Sequence, residues 1–147
     1  MGRNHKFTER NNPTYKREVS KKRELRTGKK DPYIVFCFRD FDRNQGQEFK
    51  DWEHDKLLLP LINKLHEICQ LTKTQAITNG IIKQYTKTDF PPDSKFKHPT
   101  YIMTGVTWCS LHIQGKECVI GYFEENVFYL VFLDKNHEFW ITNKKNT

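Results

Sequence analysis

The sequence predicts an α+β domain: one strand, a helical hairpin, and then an antiparallel β-meander with the helices packed on one face of the sheet. Three observations carry this. A β-prone apolar run fills residues 33–38, helical apolar spacing follows over residues 48–72, and residues 106–141 alternate short apolar runs with turn-like tripeptides. Helices that come before a meander bury their apolar stripe against one of its faces. The chain of 147 residues, 36% hydrophobic and 14% aromatic, has enough apolar surface for one core without metals or disulfides.

Residues 1–31 come first and stand apart. They hold eleven Lys and Arg against four Asp and Glu, whereas residues 32–147 hold fourteen of each, so this stretch accounts for the whole net charge of +7. With few large apolar side chains, it cannot offset the entropy of ordering by burial, and we expect a disordered basic arm ahead of a single domain spanning residues 32–147. Within the arm, Lys21, Lys22, Arg23, Arg26, Lys29 and Lys30 are the candidate nucleic-acid contacts, on a run that would form a basic helix against a partner. The competing reading is a solubilising tail.

Pro32 ends the arm, and the run Tyr33, Ile34, Val35, Phe36, Cys37, Phe38 reads as a strand buried on both faces. From Glu48 to Thr72, Leu58, Leu61, Ile62, Leu65, Ile68 and Cys69 fall on one helical stripe, with Pro60 kinking or restarting the helix near Leu59. Thr72 followed by Gln75 is a capping-box pair, and a second helix is expected from there, presenting Ala76, Ile77, Ile81 and Tyr85. Residues 89–99, with three prolines, read as a long ordered loop. Strands are expected at residues 106–113, 117–123, 127–133 and 137–141, joined by tight hairpin turns.

With hairpins turning on Gln114-Gly115 and Glu125-Asn126, one face collects Cys109, Leu111, Ile113, Cys118, Ile120, Tyr122, Tyr129, Val131 and Leu133, and meets the helices. The other carries Trp108, Ser110, His112, Glu117, Phe123 and Phe128. On this register His112 lies opposite Glu117, whose carboxylate would orient the imidazole for acid–base work, and His137 joins Asp134 at the same edge. An ordinary cross-strand polar pair is the competing account. The open aromatics Trp108, Phe123 and Phe128 would stack unpaired bases or bury a partner, and Lys95 and Lys97 add charge beside His98 in the proline-rich loop.

Other chemistry is thin. His54 and His66 read as helix-surface residues, and the acidic stretch Asp40, Asp42, Glu48, Asp51 and Glu53 as a solvated helix start. Cys37, Cys69, Cys109 and Cys118 stand singly in apolar runs and read as buried free thiols. No nucleotide-binding glycine loop, GxSxG elbow, HExxH or paired Cys/His zinc motif occurs, so neither a metal nor an organic cofactor is expected. No run is long enough to span a bilayer and no signal peptide precedes the arm; a cytoplasmic protein without a membrane partner is expected.

The order strand, helical hairpin, meander resembles the RelE/ParE toxin superfamily. The likeness extends through about forty residues of the C-terminal sheet, where Ser110-Leu111-His112-Ile113, Gly115-Lys116 and Tyr122 follow the family's strand pattern ahead of the apolar strand 127–132. The resemblance implies a small toxin that cleaves mRNA on the ribosome, neutralised by an antitoxin along its helices and sheet. The family's arginines align with His112 and with Glu117 or Cys118, which leaves Lys116 to stabilise phosphate and His112 and His137 to move protons, without a metal. Two alternatives stay open: a non-catalytic RNA- or protein-binding module using the aromatic face and basic arm, and a ParE-like gyrase inhibitor.

Overall fold

The computed structural model describes residues 31–141, so the expectations for the basic arm and its six cationic contacts lie outside the described residues. Among the described residues the fold is α+β: a five-stranded mixed sheet and three helices. In chain order these are β1 (Val35–Cys37), α1 (Phe49–His54), α2 (Leu58–Ile68), α3 (Lys73–Thr78), β2 (Ile82–Gln84), β3 (Trp108–Gln114), β4 (Glu117–Glu124) and β5 (Val127–Asp134). The strand order is β1-β5-β4-β3-β2, antiparallel except for β1, which runs parallel to β5. No helix among the described residues is long and apolar enough to cross a membrane.

Strand β1 corrects the first expectation. It is an edge strand and not one buried on both faces: Val35 is 51% exposed, and Ile34 just before it supplies the buried anchor. The helical region divides in three. Lys56 takes a left-handed φ of 60° and ends α1, after which α2 starts at Leu58 with Pro60 in its first turn, where a missing N–H breaks no intrahelical bond. Leu57, Leu61, Leu65 and Ile68 form the buried stripe, while Ile62, expected on it, is 50% exposed. The capping box at Thr72 holds: its hydroxyl accepts from Gln75 N–H, and the Gln75 amide oxygen accepts from Thr72 N–H.

That third helix is shorter than expected. Gly80, with φ of 73°, stops it, and Ile82–Gln84 then pair with Cys109–Leu111 as β2. Ile81 and Tyr85 therefore do not lie on a helix. Tyr85 instead packs on the far side of the sheet, where its hydroxyl meets Ser110 Oγ at 2.9 Å. The expected strand at 137–141 is irregular with a bend at 139–140, and has no ladder partner among the described residues.

Both sheet faces are covered. The helices place Trp52, Leu57, Leu61, Leu65, Ile68 and Ala76 against Cys109, Leu111, Ile113, Val119, Phe128, Leu130 and Leu133. On the opposite face, the long loop between β2 and β3 contributes Phe96 and Ile102 and the C-terminal segment contributes Phe139, packed on Trp108, Ile120, Tyr122, Tyr129, Val131 and Phe132. The second half of this sandwich was not expected, and it buries Trp108 fully; Phe128 is fully buried too, but on the helical face, so the expected open aromatic face is lost.

Candidate functional site

The site lies at the end of the sheet where β3 turns into β4 and β5 runs out. The first hairpin turns on Gly115-Lys116, one residue later than the spacing suggests, with Gln114 opposite Glu117. A bulge at Ile113 then sets His112 opposite Cys118. Because side chains alternate faces, this shift turns β4 and the first part of β5 over relative to β3, while Phe132 and Leu133, beyond a second bulge, keep the faces expected of them, and the His112–Glu117 pair is lost. Glu117, expected to orient the imidazole, is the first residue of β4, opposite Gln114, and the thiol of Cys118 takes its place beside His112.

The Cys118 sulfur lies 3.6 Å from His112 Nδ1 and 3.9 Å from Nε2. His112 Nδ1 also lies 3.1 Å from the Gly115 carbonyl oxygen. A carbonyl can only accept, so in the neutral ring Nδ1 carries the proton and Nε2 the lone pair. Cys118 S–H donates to the Lys116 carbonyl at 3.2 Å. Burial, reinforced by the carboxylates of Asp134 and Glu117, pushes this thiol up to about 12.

The third member comes from beyond β5. Asp134, opposite Cys118 and 2% exposed, accepts from the backbone N–H groups of Glu138 and Phe139, each at 2.8 Å. That carboxylate folds the chain back. His137, inside the resulting turn at a φ of 58°, brings its ring to 5.6 Å from His112, nearly parallel to it. Histidine tolerates this left-handed conformation better than most residues. The ligand-capable atoms of His112, Cys118 and His137 all lie within 4.8 Å of one another.

Three predicted residues thus meet at this sheet end: His112, His137 and, exposed in the turn between β3 and β4, Lys116. Lys95 joins them through its backbone, whose N–H donates to the Glu138 carbonyl at 3.0 Å, one residue from His137. Lys97 is held farther along the loop by a two-way bond with the Gln45 amide. Trp108 is 0% exposed and packs among Phe90, His98, Phe132 and Phe139, so it cannot stack a base. His54 and His66 lie on the surface as expected.

The acidic stretch is structural. Glu48 and Asp51 form a capping box at the start of α1, buried Asp42 accepts from Asn44 N–H and Gln45 Nε2, and Asp40 accepts from the Tyr122 hydroxyl. Cys118 is the residue sequence reasoning missed. Its spacing from His112 and His137 matches no linear motif, and only the bulged register joins them.

Fold and site together define a small α+β protein with a histidine and thiol cluster at one end of a mixed sheet. No family model, no curated protein and no solved structure matches the chain.

Proposed function

We propose that this protein cleaves RNA by metal-independent acid–base chemistry, in the manner of the RelE-like toxins its element order resembles. The observation that carries the reading is the approach of the His112 and His137 rings, 5.6 Å apart, next to the Lys116 turn. His112 Nε2 takes the proton of a ribose 2′-hydroxyl as that oxygen bonds to the adjacent phosphorus. His137, as imidazolium, gives a proton to the 5′-oxygen as the phosphorus–oxygen bond breaks. A 2′,3′-cyclic phosphate and a free 5′-hydroxyl result, with Lys116 facing the negative charge that builds on the phosphorane. The Gly115 carbonyl has the orienting part first assigned to Glu117.

In this reading the natural partners are RNA or the ribosome, and an antitoxin would cover the exposed apolar residues of α2, Leu59 at 70% and Ile62 at 50% exposure. The test is cleavage of a defined RNA by the full chain, alone and with ribosomes, in excess chelator. Cyclic-phosphate ends are expected, with rates down by about 10² to 10⁴ in His112→Ala and His137→Ala. Lys116→Ala should fall by about 10². Intact RNA in both settings, or unchanged rates in both histidine variants, would rule the reading out.

A further inference from the structure

We propose that His112, Cys118 and His137 form a binding site for a zinc-class divalent ion, with a fourth coordination position open to solvent. In a tetrahedral zinc site, metal–nitrogen bonds of about 2.0 Å and metal–sulfur bonds of about 2.3 Å put a ligand nitrogen and sulfur roughly 3.5 Å apart. The Cys118 sulfur is already 3.9 Å from the available His112 Nε2, and each of the three residues has a ligand-capable atom within 4.8 Å of one on the others. Imidazole and thiolate donors suit zinc or cobalt and disfavour magnesium and calcium, which take oxygen.

The surroundings fit a ligand set. His112 donates its Nδ1–H to the Gly115 carbonyl, the outer bond that metal-bound histidines ordinarily make, and that bond directs Nε2 toward a metal. The backbone is fixed from three sides: the bulge places His112, the β4–β5 ladder places Cys118 opposite Asp134, and the Asp134 carboxylate ties down the turn that carries His137. Cys118 is 1% exposed while His112 is exposed, so the sulfur forms the floor and the imidazole the open rim. An ion replaces the thiol proton and compensates the buried thiolate beside Asp134. Three protein ligands with one open position is the arrangement of catalytic or exchangeable zinc, not of closed structural sites.

The site rests on this geometry and not on the RNA reading, although the two interact. A coordinated imidazole has no free lone pair, so acid–base cleavage by His112 and His137 would be confined to the metal-free protein, and zinc would switch it off.

The experiment is titration of the reduced, chelator-stripped full chain with Co²⁺, followed by competition with Zn²⁺. Expected are one Co²⁺ per chain, a sulfur-to-cobalt charge-transfer absorption with tetrahedral d–d bands, and displacement by Zn²⁺. Cys118→Ser should abolish the charge-transfer absorption. His112→Ala, at an exposed position that leaves the core intact, should weaken binding at least about tenfold. Absence of stoichiometric binding by the wild-type chain, or an unchanged spectrum and affinity in folded His112→Ala, would overturn the proposal. Cleavage is assayed in chelator, so loss of one reading leaves the other standing: binding without cleavage removes only the nuclease, and cleavage without binding removes only the metal site.

Discussion

At Gly121 the sheet has no room for a side chain. A Cβ there would sit 2.0 Å from the Tyr129 carbonyl oxygen and 2.6 Å from the Phe128 ring. The glycine lies beside the second bulge, where the β4–β5 pairing shifts between Ile120 and Gly121 and Val131 is left as the extra residue. Backbone crowds it on one side and a buried aromatic on the other, so neither gives way easily. Gly121→Ala is expected to cost about 3 kcal/mol or more, read as a drop in denaturation midpoint. A loss under about 1 kcal/mol would mean that β5 can shift, and with it the register that builds the histidine cluster. Glycine in a strand is visible in the sequence, but its reason is not, because the clash comes from residues seven and eight positions away across a bulged ladder.

The turn after β5 is the element on which the site depends. Asp134 is a buried carboxylate whose two oxygens each accept a backbone N–H, from Glu138 and Phe139. Hydrogen bonds to charged groups are worth more than neutral ones, and removing the acceptor strands two donors. Asp134→Ala should therefore cost about 3 kcal/mol. Asp134→Asn, which keeps one acceptor oxygen, should cost less. Both should loosen His137, so Co²⁺ affinity is expected to fall in the same order, measured on protein verified as folded. Equal stability of wild type and Asp134→Ala would show that Phe139 packing alone holds the turn.

Element recognition from the sequence was uneven at this scale, for identifiable reasons. The capping box at Thr72, the Glu125-Asn126 turn and the three long strands depend on neighbours within a few residues and were legible. Strand β2 was not: Ile81 and Tyr85 continue a helical spacing from Ala76 and Ile77, and only Gly80 hints at the break. Its strand state comes from pairing with β3, which lies beyond a loop of more than twenty residues.

Over the whole molecule, burial holds several weak acids neutral. Cys109 and Cys118 are pushed up to about 12 from an ordinary 9.0, mainly by burial. Tyr101 moves up to about 12 from 10.0 by burial and by Asp42 and Asp40, and Tyr122 and Tyr85 also move up, again with burial as the first cause. A raised value means that the folded state keeps protons the unfolded chain gives up. The contribution to stability is therefore complete below about pH 9 and falls as pH rises toward about 12. We expect a denaturation midpoint that is flat from neutrality to about pH 9 and then declines, with a shallower decline in Cys109→Ala. A midpoint that stays level to about pH 11 would contradict this account.

The sequence by itself determined the fold class, the helical layer on one face and the meander, because apolar periodicity and turn chemistry act over short separations. It also brought His112, Lys116, Glu117 and His137 forward as candidate site residues. Tertiary structure alone decided their company. A one-residue displacement of the first turn and a bulge at Ile113 exchanged Glu117 for Cys118 beside His112, and the loop between β2 and β3, with Phe139, closed over Trp108. Side chains alternate along a strand, so a single inserted residue reverses which face each one joins, and that insertion is set by packing across the whole sheet.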